Sequence, residues 1–257
     1  MSDTPELGIE RRGDVLWLVI QRETRRNAMS HAVLAGMAQA IAGAQDDRSL
    51  RAIVVTGAGD KAFCAGADLQ SAQAFTTDYA EPIGHLARLL RVARASHVPL
   101  VARVNGACMA GGMGLLSMCD LAVAASHASF GLPEVKVGVF PAQVLSVLQH
   151  LIPRRKLAEL CLTGATLDAA QALDFGLVNA VGDDVDAVLQ ALLDHLLDKS
   201  PAALRRGLYT MKAIEALPFE SSIAFTESQI ALFALTEDAQ EGQAAFREKR
   251  APRWTGR

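Results

Sequence analysis

Aromatic side chains are scarce in this chain of 257 residues, at 5% of the total. Its apolar half, 51% of the residues, is mostly alanine and aliphatic, which suits a soluble α/β protein. Charge of one sign is also lacking. A net charge of −3 leaves no basic excess, so nucleic acid and acidic membrane surfaces are not expected partners. The four cysteines, Cys64, Cys108, Cys119 and Cys161, lie in apolar surroundings without metal-ligand spacing. They read as reduced core thiols of a reducing compartment. The histidines (His31, His85, His97, His127, His150, His195) are scattered, again without ligand spacing. No Ser-His-Asp order is readable, so no metal or triad chemistry is expected. No apolar run is long enough to span a bilayer. Met1 to Arg12 is polar and carries no signal core. The cytoplasm is the expected location.

What the chain does have is a small-residue stretch from Asn105 to Asp120, rich in glycine and alanine. It follows an apolar run, Leu100 to Val104, that reads as a buried strand. It leads into Leu115, Leu116 and Met118, which suit a buried helix. A strand-to-helix turn of this kind leaves backbone N–H groups at the helix start without internal acceptors. Those groups can receive a developing negative charge; close packing of the helix would equally call for small residues. A second such turn, Gly57 to Leu69, follows the strand Arg51–Thr56. It lacks the Gly-Lys-Ser/Thr of a phosphate loop. Phe63 reads as its core anchor, and Asp68 as the cap of a following helix.

The rest of the chain alternates in the same manner. Asp14–Gln21, Leu121–Ala125 and Leu177–Val181 read as strands. Ser30 caps a helix whose inner face is Val33, Met37, Ile41 and Ala44. Glu81–Ala95 and the segment from Pro153 to Gly164 are helical, as is Leu167–Phe175, closed by Gly176. Residues 72–77 are weakly specified. Ser129 to Pro141 is irregular and holds Glu134 between Pro133 and Val135. Apolar company of that kind raises a carboxyl pKa and suits proton transfer; an ion pair with Lys136 or an arginine is the plainer alternative. Beyond Asp183 strands give way to helices over Asp186–Asp198, Pro201–Ala216, Phe219–Leu235 and Thr236–Arg250. The one plausible boundary therefore falls near Lys199, dividing a core, 1–198, from a helical region, 199–257. Gly112 to Ser117 partly mimics a dinucleotide fingerprint, but it lies mid-chain and Glu134 does not end a second strand, so a nicotinamide enzyme is disfavoured.

Taken in order, several segments resemble the crotonase (enoyl-CoA hydratase/isomerase) family along almost the whole chain. They include Asn27-Ala-Met29, Lys61 to Leu69, Asn105-Gly-Ala to Gly111-Gly112 with Met118-Cys-Asp120, Phe130-Gly-Leu-Pro-Glu-Val135, Gly176-Leu-Val178 and Ala245 to Arg250. The resemblance implies an α/β spiral of strand–strand–helix units. It also implies a helical C-terminal region that builds homotrimers, often paired into hexamers. The implied substrate is an acyl-CoA thioester, with no separate cofactor. Its carbonyl oxygen would be held by the backbone N–H groups of Ala67 and Gly111, and Glu134 would be the catalytic carboxylate. Backbone around Ala65, Asp68 and Leu69, the basic Arg25 and Arg26, and Lys249 are the implied CoA contacts, with solvated surface charge the alternative for the basic three. Two departures matter. The first of the two carboxylates of the family's hydratases falls at Gly114, so a double-bond isomerase using Glu134 alone, or a non-catalytic acyl-CoA binder, stands beside hydration as a reading. After Pro141 the usual glycine-rich run is Ala142-Gln-Val-Leu145, where Gln143 either helps hold a water or is an ordinary helix residue. Gly111→Pro, which removes one N–H, is the substitution the sequence offers as a test.

Overall fold

Segments with no polar alternation become strands buried on both faces. The computed structural model describes residues 5–68 and 83–257. Its elements run β1 (Leu7–Arg12), β2 (Val15–Ile20), α1 (His31–Gly43), β3 (Ala52–Gly57), β4 (Ala62–Cys64), α2 (His85–Ala95), β5 (Leu100–Val104), β6 (Ala107–Met109), α3 (Gly111–Ser117), β7 (Leu121–Ala125) and β8 (Ser129–Gly131). They continue with α4 (Ala142–Leu148), α5 (Arg154–Thr163), β9 (Thr166–Asp168), α6 (Ala169–Asp174), β10 (Ala180–Gly182), α7 (Val185–Leu197), α8 (Pro201–Ile214), α9 (Phe219–Ala234) and α10 (Glu237–Glu248).

Two sheets share the strands. The larger has the order β1-β2-β3-β5-β7-β10, and the smaller β4-β6-β8-β9. In the larger sheet all pairings are parallel except β1 with β2. Each pass of the chain adds one strand to the large sheet, one short strand to the small sheet, and then helix: β3, β4, α2; β5, β6, α3; β7, β8, α4. This is the strand–strand–helix spiral expected above. Alternation within the long strands sorts the core. Ile53, Val55, Leu100, Ala102, Val104, Ala122 and Ala124 face one way, into the main core with α1, α2 and α3. Val54, Val101, Val123 and Ala125 face the other, against Val185, Leu189 and Leu193 of α7.

Several element boundaries differ from the sequence reading. The polar N-terminus contributes β1, an antiparallel edge strand on β2. Only Ala180 and Val181 of the expected strand Leu177–Val181 are extended, as the start of β10, with Leu177–Asn179 a loop, and Leu167–Phe175 splits into β9 and α6. In α6 the Asp168 side chain accepts from Gln171 N–H, while the Gln171 side chain returns to the Asp168 N–H, a capping box. The four C-terminal helices stand where expected, and their inner members are tied to the body. Arg205 donates to the carbonyls of Gln45, Asp47 and Leu50. Lys212 pairs with Asp120 at 2.9 Å and donates to the carbonyls of Ala93 and Ser96. No helix among the described residues is long and apolar enough to cross a membrane.

Candidate active site

The two small-residue turns meet. Met29 forms a parallel bridge with Ala67: its N–H donates to Gly66 O at 2.8 Å, and its carbonyl accepts from Asp68 N–H at 3.1 Å. That pairing occupies the backbone on either side of Ala67 but not the Ala67 N–H. Gly111 opens α3, where no preceding turn offers an acceptor. Neither N–H has an acceptor among the described residues. A Cβ built on Gly66, whose φ is +99°, would lie 3.3 Å from Gly111 N; one on Gly111 would lie 3.8 Å from Ala67 N. Only a glycine at 66 permits both the backbone angle and the approach. The two unpartnered N–H groups are therefore neighbours.

Other residues hold this arrangement. Ala110 caps α3 with φ 54° and ψ −125°, a conformation that costs a side-chain-bearing residue about 1–3 kcal/mol. Its N–H donates to Gly131 O at 2.9 Å, which ties the α3 turn to β8, immediately ahead of Glu134. Asn27 is buried, and its side-chain amide donates to the carbonyls of Ala58 and Ala62. Asn105 braces the same turn through the carbonyls of Gly59 and Ala62. The Met29 methyl sits where a Gly111 side chain would go, at 2.5 Å from the built Cβ. The strain at Ala110 has no signature in the sequence. Asn27 carried a signal, since asparagine tolerates its φ of 55°.

Glu134 lies in a 3-10 helix, Pro133–Val137. Its Oε2 is buried without a hydrogen-bond partner, and burial pushes its carboxyl above the ordinary 4.5. The ion pair with Lys136 is not made: the Lys136 chain instead lies over Gly164. Gly114 is buried, and a Cβ there would touch only Val144, at 3.4 Å. Gln143 is an exposed residue of α4. Cys64, within the Gly57–Leu69 turn, is buried and its thiol pushed up to about 12, so it stays protonated and is no nucleophile.

The remaining expected contacts are distributed unevenly. Ala65 N–H donates to Arg26 O at 3.1 Å, which places Arg25 and Arg26, both exposed, beside the Gly57–Leu69 turn. The Asp68 side chain pairs with Arg22 at 2.7 Å, while the helix it was read as capping lies outside the described residues. So do Leu69 and residues 72–77. Lys249 ends α10 in the left-handed region, exposed, and no hydrogen bond or ion pair joins it to residues 65–68 within the chain. Among the described residues no three His, Cys, Asp or Glu side chains gather as a metal site would require.

The family model described as Enoyl-CoA hydratase/isomerase matches residues 10–257. A Mycobacterium bovis protein named "Probable enoyl-CoA hydratase echA8" is 37% identical, with 97% of each chain covered. The Carnitinyl-CoA dehydratase of Salmonella typhi is 33% identical over 98% of each. The crystal structure of a Mycobacterium smegmatis enoyl-CoA hydratase superposes with a TM-score of 0.92 at 32% identity, covering 98% of this chain and 99% of that one. The chain belongs to the enoyl-CoA hydratase/isomerase family.

Proposed function

We propose that this enzyme moves a proton beside the thioester carbonyl of an enoyl-CoA, passing through an enolate, with hydration of the double bond as its reaction. The observation that carries the reading is the pair of adjacent, unpartnered N–H groups on Ala67 and Gly111. Negative charge grows on the thioester oxygen as the enolate forms. Donors fixed beforehand stabilise that state more than the ground state and need no reorganisation. Glu134, with its unpartnered buried oxygen, is the group that exchanges the proton. A raised pKa brings a carboxyl closer to the working pH, where one group both accepts and returns a proton efficiently. Arg25, Arg26 and the backbone at Ala65, Asp68 and Leu69 serve the CoA portion in this reading. Lys249 would reach it from a neighbouring subunit of a trimer.

Hydration is placed first because the relatives are named hydratases and a dehydratase. A second reading, double-bond isomerisation, rests on a specific observation. Gly114 supplies no carboxylate, and the methyl of Val144 faces it, leaving Glu134 alone to take a proton from one carbon and return it to another. The two are separated by a panel of 2-enoyl- and 3-enoyl-CoA esters in deuterated water. Hydration consumes the 2-enoyl esters, giving hydroxyacyl products that carry solvent deuterium. Isomerisation interconverts the two sets with no added oxygen. Glu134→Gln is expected to lower turnover by about 10²–10⁴ in folded protein. Undiminished activity in that variant would remove Glu134 from the mechanism.

A further inference from the structure

Arg22 reaches both strands of the bridge that aims the Ala67 N–H. Its side chain is 12% exposed. Nη1 donates to Ala28 O at 2.5 Å, and Ala28 directly precedes Met29. Nη2 donates to Asp68 Oδ2 at 2.7 Å, and Asp68 directly follows Ala67. Nε pairs with Glu6 at 2.8 Å, and Glu6 in turn accepts from Ser30, the cap of α1. The Arg22 backbone is fixed as well: its N–H donates to Asn27 Oδ1, and its carbonyl accepts from Asn27 N–H. One planar guanidinium thus spans the Met29–Ala67 pairing from one residue before it on one strand to one residue after it on the other.

We propose that Arg22 is a positioning residue for the reaction, clamping Ala28 and Asp68 so that the Ala67 N–H points at the thioester oxygen. This rests on the oxyanion role given to Ala67 above. The Met29–Ala67 bridge is isolated, with no longer ladder to set its angle. A guanidinium presents its donors in a rigid fork, which fixes the separation of the groups it holds. A lysine ammonium keeps the charge but not the fork.

The test compares Arg22→Gln, Arg22→Lys and Asp68→Asn with wild type in the full chain. It reads kcat and KM on the enoyl-CoA that wild type turns over. It also reads the infrared stretch of bound hexanoyl-CoA, isotope-labelled at its thioester carbonyl. Donation from the two N–H groups lowers that frequency in wild type. Arg22→Gln is expected to lower kcat about 10- to 100-fold, the scale of a small misplacement in an active site, with KM little changed and the carbonyl band moved back toward its free position. Arg22→Lys should recover part of the loss, and Asp68→Asn should show a smaller one in the same sense. If Arg22→Gln fails to fold, the other two variants decide. A full carbonyl shift with unaltered kcat in the folded variants overturns the positioning role alone. Absence of any shift on binding to wild type overturns the oxyanion reading beneath it.

Discussion

The Oε2 atom of Glu134 is buried without a partner, and the cost of ionising it there holds its pKa above 4.5. The consequence for stability has a definite sign. As pH rises from 4.5 toward the folded-state value, the unfolded chain releases this proton while the folded one keeps it, so folding stability falls across that window and stays lower above it. Glu134→Gln keeps the shape and removes the ionisation. Its Tm is expected to exceed that of wild type near neutral pH, with the difference closing below 4.5. A Tm at or below wild type at neutral pH would show that the carboxylate is satisfied in solution. Activity runs the opposite way, because a base must be ionised to accept. The acid limb of the kcat/KM profile is expected to have its midpoint above 4.5, and a midpoint at or below it would count against Glu134 as the base. The sequence reading expected a raised pKa from Pro133 and Val135, and the direction holds, although Val135 itself is exposed. What the sequence did not give was the fate of Lys136, which is set by the passage of Gly164 beneath it.

Turn geometry at the start of α3 was only half readable. Glycines at 111 and 112 announced a tight approach, and a Cβ on Gly112 would indeed lie 2.3 Å from Cys64 O. Ala110, by contrast, holds a glycine-like conformation behind an ordinary residue name. Ala110→Gly is expected to relieve strain by more than the added chain entropy costs, a net gain of about 1 kcal/mol. That corresponds to a Tm about 2–4 °C higher for a chain of this size, and thermal unfolding that shows a loss would refute the strain. The same geometry changes how Gly111→Pro should be used. Its ring would meet the Met29 methyl, and a proline disfavours the backbone of the residue before it, so lost activity would not isolate the lost N–H. Replacing that amide by an ester through semisynthesis removes the donor and adds no atom. Turnover is then expected to fall about 10²–10³-fold, the value of one donor in a measured oxyanion hole. The short strands β4, β6 and β8 escaped the sequence reading because three residues show no period. β1 escaped because its exposed edge is charged.

Across the molecule, the spiral was legible only through the family resemblance, while the change from strands to helices after Asp183 was readable from the apolar pattern itself. What no local pattern could fix was how the helical region is covered. Of the sixteen residues of α9, only Gln229 is buried. Phe219, Ile230 and Leu235 are 70–75% exposed, and Phe246 on α10 is 86% exposed. Large apolar side chains left in water on one helical region mark an interface, and identical chains bury such faces in closed symmetric sets. The family resemblance sets the number of copies expected, a homotrimer or a pair of trimers formed through this helical region, and in the proposed reading Lys249 of one chain would there approach the CoA of another. Light scattering coupled to size exclusion should give three or six times the chain mass. Phe219→Asp with Ile230→Asp should shift the protein to smaller species and raise KM for the CoA ester, while the core ties of Arg205 and Lys212 keep each chain folded. A monomer at micromolar concentration, with the CoA ester bound as tightly as in the unaltered chain, would show that α9 needs no partner and that Lys249 plays no part at the site.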